Sequence, residues 1–384
     1  MTTLNTNFDK LPKSYLFSRI GERVAALRAK EPSAQILNLG VGDIALPLAP
    51  TVSKALKGAA DEMELIVHGY GPAEGHLFLR EKILETQYAD LEIDVDDIFI
   101  SEGIVRDICD IQDLFPPSAT VGIIDPTYPA YLQSSILAGK TPYLIPCLEE
   151  NGFIPLPPNQ RLDFVYLCTP NNPTGIAMTK KELTLWVDWA QEHETLLLVD
   201  AAYETFITSA DVPRTIFEIP GAKDVAIEFR SFSKSAGFTA LRLGYTVIPN
   251  KTLNQLWRKR QDIKTNGISL PIQKAGYASL FGAGKVECEG QIALYSLHAR
   301  KLKEAIESLG ESCYGGIDSP YVWWKIKEPD SWKFFDYLLE ELHLITIPGR
   351  GFGESGEGFI RLSSFITEKT LHETVQRLQT CVMK

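Results

Sequence analysis

The middle of this chain alternates short apolar runs with longer stretches of helical periodicity, and that alternation leaves few folds open. The runs are Ile98 to Ser101, Thr120 to Ile124, Phe164 to Cys168, Thr195 to Val199, Val225 to Phe229 and Leu243 to Val247. Short apolar strands separated by helices predict βαβ units and a largely parallel sheet. One intervening helix has a clear start: Lys180 to His193 opens with Thr179 as N-cap and Glu182 placed to complete a capping box. The flanks read differently. A helix-like stretch runs from about Glu287 to Leu309, followed by strand-like Tyr321 to Ile326 and a helix from Ser331 to Leu342. A short strand at Leu344 to Ile347 and strand-like Gly358 to Ser363 complete an α+β pattern. The expected division is a large, mainly parallel-sheet α/β domain over 50-285 and a smaller α+β domain built from 1-49 and 286-384. A ligand site is expected between them.

Composition excludes several classes of function. With 38 basic against 49 acidic residues the net charge is −11, which disfavours nucleic acid and anionic membrane surfaces as partners. The first residues lack a basic and apolar leader, and no apolar run approaches the roughly 18 residues of a membrane span, so a cytoplasmic location is expected. The 6 cysteines are scattered without a Cys-x-x-Cys pair, and no His-Glu-x-x-His pattern is present, so no metal site is predicted.

The motif richest in chemistry is Ser231-Phe232-Ser233-Lys234, with Arg242 further along. A lysine attacks an aldehyde only as the neutral amine, which burial and nearby positive charge favour. Hydroxyl donors and a guanidinium fork suit a phosphate dianion. An aldehyde and a phosphate together are what pyridoxal 5'-phosphate presents, although a solvated loop with a surface lysine fits the local pattern equally well. The partners must come from other strand ends, because open α/β sheets bind ligands beyond the carboxyl ends of their strands. Asp200 follows one apolar run directly and could hold a proton on a pyridine nitrogen, or simply cap a helix. Tyr203 lies close behind it. Thr169-Pro170-Asn171-Asn172-Pro173-Thr174-Gly175 is a turn whose Asn172 amide could donate to the same ring oxygen as Tyr203. Gly103-Ile104-Val105 opens a predicted helix whose free N–H groups could seat a phosphate, and Tyr128 could stack on a ring or serve as a core aromatic. A formal G-x-G-x-x-G, Gly351 to Gly356, precedes a strand rather than opening a helix, so a dinucleotide site is not expected there.

In this order Asn172, Asp200, Tyr203, Lys234, Arg242 and Arg361 resemble the fold type I, aspartate aminotransferase-like enzymes that use pyridoxal phosphate. The segments Tyr15-Leu16-Phe17, Asn38 to Asp43, His68-Gly69-Tyr70-Gly71-Pro72, Asn171 to Gly175, Glu228 to Gly237, Asn266-Gly267 and Pro348 to Gly358 resemble, more narrowly, the LL-diaminopimelate aminotransferase family. The resemblance implies Lys234 as the lysine that holds the cofactor and moves protons, and Arg361 as the fork for the substrate α-carboxylate. Gly42, Tyr15, Tyr128, Asn172 and Asn266 would surround the amino acid and keto acid substrates. It also implies a homodimer in which Tyr70 and Asn266 reach the partner's site. Two positions depart from the family pattern. Ala73 stands where an acidic residue follows Gly-Tyr-Gly-Pro, with Glu74 next, and Val105 lies in the loop that usually carries a lysine, with Arg106 next. The expected activity is transfer of an amino group from LL-diaminopimelate to 2-oxoglutarate in lysine biosynthesis. Alternatives are transfer from another amino donor, a lyase on the same cofactor, or a ligand-sensing regulator.

Overall fold

The computed structural model describes residues 2–12 and 15–381. In chain order the strands are β1 (Leu37–Asn38), β2 (Ile98–Ser101), β3 (Thr120–Asp125), β4 (Thr141–Pro146), β5 (Phe164–Cys168), β6 (Leu196–Asp200) and β7 (Ala226–Ser231). They continue with β8 (Gly244–Val247), β9 (Cys313–Gly315), β10 (Tyr321–Lys325), β11 (Leu344–Ile345), β12 (Ile347–Pro348) and β13 (Phe359–Ser363). Among the described residues they form a seven-stranded sheet of order β2-β8-β7-β6-β5-β3-β4, a four-stranded sheet of order β12-β13-β10-β9, and the pair β1-β11.

The large sheet explains the apolar runs. Along β5, Phe164, Tyr166 and Cys168 join one hydrophobic cluster while Val165 and Leu167 join the other, so both faces are covered. Strands buried on both faces have no reason to alternate with polar residues. Strands β4, β3, β5, β6 and β7 are parallel neighbours, whereas β8 runs antiparallel to both β7 and β2. The Leu243 to Val247 run is therefore a strand, but a reversed one. Its link from β7 holds only the four-residue helical turn Phe232–Ser235, not a crossover helix of the kind that returns a chain to a parallel position.

Sequence reasoning missed β4, which carries Pro142 and Pro146. Those prolines are tolerated because β4 is the edge strand. The helix Lys180–Glu192 has its capping box, with Thr179 accepting from the Glu182 amide and Glu182 reaching back. The long C-terminal helix begins earlier than expected and runs unbroken over Gly282–Ser308, across position 285.

The smaller sheet is antiparallel, with Trp323 of β10 stacked on Phe359 of β13 at 5.2 Å. The N-terminal segment is tied into it: Leu37 pairs with Leu344, and the Ser363 amide donates to the Leu39 carbonyl. The G-x-G-x-x-G segment forms two 3-10 turns, Gly349–Phe352 and Glu354–Gly356, with no helix. It fastens this sheet to the end of β3. Ser355 donates to the Asp125 carboxylate from its amide (3.1 Å) and its hydroxyl (2.9 Å), and the Thr127 amide donates to Phe352 (3.0 Å). Gly353 makes the closest approach, at φ +141°, and a Cβ there would lie 1.6 Å from Asp125 Oδ1. Gly353→Ala should therefore cost roughly 2–3 kcal/mol in urea unfolding. An unchanged midpoint would contradict this fastening.

Candidate active site

Parallel strands place their carboxyl ends on one edge of the sheet, and registry aligns Cys168 with Asp200 and Asp200 with Phe229. At that edge a cavity of about 390 Å³ opens between the two sheets. Lys234 enters it from the helical turn Phe232–Ser235, which Ser231 caps by accepting from the Ser233 amide. The Lys234 amine donates to the Gly42 carbonyl. Burial lowers its pKa to about 8; Arg361 and Arg242 push the same way, against the pull of Asp43.

Around the lysine, three groups of side chains face the cavity. Ser231, Ser233 and Arg242 form the first group. Arg242 donates to Ser233 Oγ (3.4 Å) and the Thr239 carbonyl (3.0 Å), and its own backbone sits at φ +60°, a region costly for a side-chain-bearing residue. Gly103 lies against it: a Cβ there would come within 2.5 Å of Arg242 Nη2. Ile104 and Val105 follow on the cavity wall, at the start of the helix Ile104–Asp110.

Asp200, Tyr203, Asn172 and Tyr128 form the second group. The Tyr203 and Tyr321 hydroxyls share a hydrogen bond of 2.8 Å. Burial, with the Tyr15 phenol next to it, pushes the Tyr128 hydroxyl up. Asp200 is 5% exposed and is held by neutral donors only: the Tyr131 hydroxyl at 2.6 Å and the Ala202 amide at 3.0 Å. Burial raises its pKa to about 6 despite both hydrogen bonds.

Arg361 forms the third group. It is 1% exposed, donates to Asn172 Oδ1 at 2.6 Å and to the Gly40 carbonyl, and lies over the rings of Tyr321 (4.4 Å) and Phe352 (4.9 Å). Its Nε has no hydrogen-bond partner among the described residues. A guanidinium only donates, so the Asn172 atom facing it is the carbonyl oxygen, and the Asn172 Nδ2 remains as a donor.

A model of the Aminotransferase class I and II family matches residues 34–378. The chain belongs to that family. It is 43% identical to the LL-diaminopimelate aminotransferase of Lawsonia intracellularis, over 100% of both chains. Its identity to the enzyme of that name from Agathobacter rectalis is 41%, over 99% of this chain and 100% of the other. The solved L,L-diaminopimelate aminotransferase from Chlamydomonas reinhardtii superposes with a TM-score of 0.94 at 37% identity, covering 99% of this chain and 98% of that one. Substrate-bound BacF from Bacillus subtilis follows at 0.88 and 27%, over 99% and 98%. The protein is a pyridoxal-phosphate-dependent aminotransferase of fold type I.

The cavity of this aminotransferase fits that cofactor on its own chemistry. A buried carboxylate with no cation beside it suits a protonated pyridine nitrogen, a lysine whose pKa is lowered by burial suits an aldehyde, and two hydroxyls with a guanidinium suit a phosphate. Four expected site residues stand outside the cavity lining. Gly103 backs it, and Tyr15 reaches it through Tyr128. Tyr70, 90% exposed, and Asn266 share a separate depression with Met63 and His68. The structure thus brings those two together, away from Lys234. Glu74 is also elsewhere: its carboxylate lies 3.7 Å from Arg80 and 3.4 Å from Arg258, and its carbonyl accepts from the Ile100 amide. Arg106 pairs with Glu102 and Asp110.

Sequence reasoning missed Tyr131, Tyr321 and Asp43 on the cavity wall. For Tyr131 a signal existed, since it lies three residues beyond Tyr128, at the start of the helix Ala130–Leu137, and their rings meet at 5.8 Å. Tyr321 begins a buried strand and reads as core.

The raised Asp200 pKa has a consequence for stability. Its folded value of about 6 lies above the ordinary 3.8, so the ionised form is the one folding disfavours. Below about pH 4 the group is protonated in both states and costs nothing; the cost grows as pH rises to about 6 and then levels off. Cofactor-free Asp200→Asn should match the wild type near pH 4 in urea unfolding and exceed it by roughly 2–3 kcal/mol above pH 7. Equal stability at neutral pH would contradict this.

Proposed function

We propose that this aminotransferase takes the amino group of LL-diaminopimelate and passes it to 2-oxoglutarate, in lysine biosynthesis. The observation that carries the reading is the pairing of Lys234 with a buried, carboxylate-free Arg361 in one cavity of a chain 40–43% identical, nearly end to end, to LL-diaminopimelate aminotransferases. When bound, pyridoxal phosphate supplies an aldehyde that captures the donor's amino group and a ring that draws electron density from its α-carbon. Arg361 holds the α-carboxylate by its fork, orienting the α-hydrogen toward Lys234. Lys234 Nζ takes that proton and later returns one; its pKa of about 8 keeps a useful share of neutral amine at physiological pH. Asp200 would keep the ring nitrogen protonated, Asn172 Nδ2 and Tyr203 would donate to the ring oxygen, and Tyr128 would offer an aromatic face to the ring. Ser231, Ser233, Arg242 and the backbone from Gly103 to Val105 would hold the phosphate.

The working unit we propose is a homodimer in the cytoplasm. The shared depression of Tyr70 and Asn266, beside exposed Leu65, Ile66 and Val67, supports residues that complete a partner's site. Free cysteines at 109, 147, 168, 288 and 313 fit a reducing compartment. The lobes 50-285 and 1-49 with 286-384 stand as our division of the chain, supported by the separate sheets.

A second reading, transfer from a different donor, is favoured by one observation. Lys234, Arg242 and Arg361 are the cations lining the cavity among its described residues, each already assigned, while Val41, Val105 and Phe17 line its apolar wall. A second carboxylate on the donor would find no further cation among the described residues that line this cavity. Mixing the holoenzyme with LL-diaminopimelate, lysine, glutamate or an aromatic amino acid separates the two readings, through loss of the visible cofactor band. A spectral change with LL-diaminopimelate is expected; a change with the others only would replace it. Lys234→Ala should lose both the visible band and at least about a thousandfold of turnover. Retention of both would remove the transaminase mechanism.

A further inference from the structure

Asp200 is a buried charge whose environment is built from neutral groups. Its Oδ2 accepts from the Tyr131 hydroxyl at 2.6 Å, near the short limit for a hydroxyl donor to a carboxylate, and its Oδ1 accepts from the Ala202 amide at 3.0 Å. Tyr131 is 1% exposed and cannot turn away: its ring lies 5.0 Å from that of Tyr166 at an interplanar angle of 12°, and Tyr128 meets it edge-on at 5.8 Å. Tyr166 is itself fixed by donating to the Ile108 carbonyl at 2.6 Å. A rigid stack therefore aims one phenol O–H at one carboxylate oxygen.

A hydrogen-bond donor to a carboxylate makes it a weaker base. Where a carboxylate faces a pyridine nitrogen, the weaker the carboxylate as a base, the more the shared proton belongs to the nitrogen. We propose that Tyr131 is a positioning residue that keeps the Asp200 carboxylate ionised and fixed in rotation, so that the ring nitrogen of bound pyridoxal phosphate, and not Asp200, carries the proton between them. The proposal rests on the cofactor occupying the cavity and is independent of which amino donor is used.

The other groups facing Asp200 do not titrate in competition with it. Tyr131 on its helix, Cys168 at the end of β5, Tyr128 in the loop after β3 and Tyr321 on β10 are all pushed up by burial and stay neutral between about pH 5 and 8. The remaining contact is the Ala202 amide. Among these groups only Asp200 changes charge in that range.

Two measurements test the assignment, each on Tyr131→Phe with Tyr166→Phe as control; the control deletes a buried hydroxyl from the same stack without touching Asp200. The first uses cofactor-free protein and reads the pH at which the stability difference between a variant and its Asp200→Asn derivative levels off. That pH should rise by about one to two units in Tyr131→Phe, as expected for loss of a hydrogen bond to a charged group, and stay in place in Tyr166→Phe. The second loads each holoenzyme with pyridoxal phosphate carrying nitrogen-15 in the ring. The ring nitrogen should give a protonated-pyridine signal in the wild type and in Tyr166→Phe, displaced toward the unprotonated position in Tyr131→Phe. If Tyr131→Phe does not accumulate as folded protein, Tyr131→Met is read in the same way. An unmoved profile with an unmoved signal overturns the proposal, as does an equal shift in the Tyr166→Phe control.

Discussion

Two opposite charges are buried in the cavity with no charged partner among the described residues, and the site is organised around them. Asp200 is held by a phenol and an amide, and Arg361 by a side-chain amide, a backbone carbonyl and two aromatic faces. Burying an ion without its counter-ion is expensive, and groups left that way either shift their pKa or await a ligand that supplies the missing charge. Asp200 has shifted upward and Arg361 downward, both from burial. A protonated ring nitrogen and a substrate carboxylate are the charges that would relieve them, with Lys234 in the same cavity.

The fold provides the rigidity such a site requires. Asp200 ends a strand buried on both faces, and Arg361 lies within β13, paired with Ile347 on one side and Trp323 on the other. The two come from different sheets, which the Gly349 to Gly356 turns join at Asp125. The segment with the dinucleotide-like spelling is thus a fastening between sheets, and its Phe352 also forms one face of the Arg361 cradle.

Much of this was legible in the sequence because strands buried on both faces leave an unbroken apolar signature; β2 and β5 were read to the residue. Residues at strand ends, such as Asp200 and Asn172, could be picked out because a parallel sheet delivers its strand ends to one edge. What sequence could not show depends on neighbours distant in the chain. The proline-bearing edge strand β4 is a strand only because β3 lies beside it, and β8 runs antiparallel to β7, its link holding one helical turn and no crossover helix. Tyr131 and Tyr321 look like core aromatics until Asp200, Tyr203 and Arg361 are placed against their hydroxyls and rings. Glu74, one position beyond Ala73, could be judged only once Arg80 and Arg258 were seen to hold it.

The most direct test is to reduce the holoenzyme with borohydride and map the attached cofactor by mass spectrometry after trypsin digestion. A phosphopyridoxyl group on Lys234, in a peptide from Ser231 to Arg242 left uncut at the lysine, is the predicted result. Attachment to any other lysine, or none, would contradict a site built on Lys234 between Asp200 and Arg361.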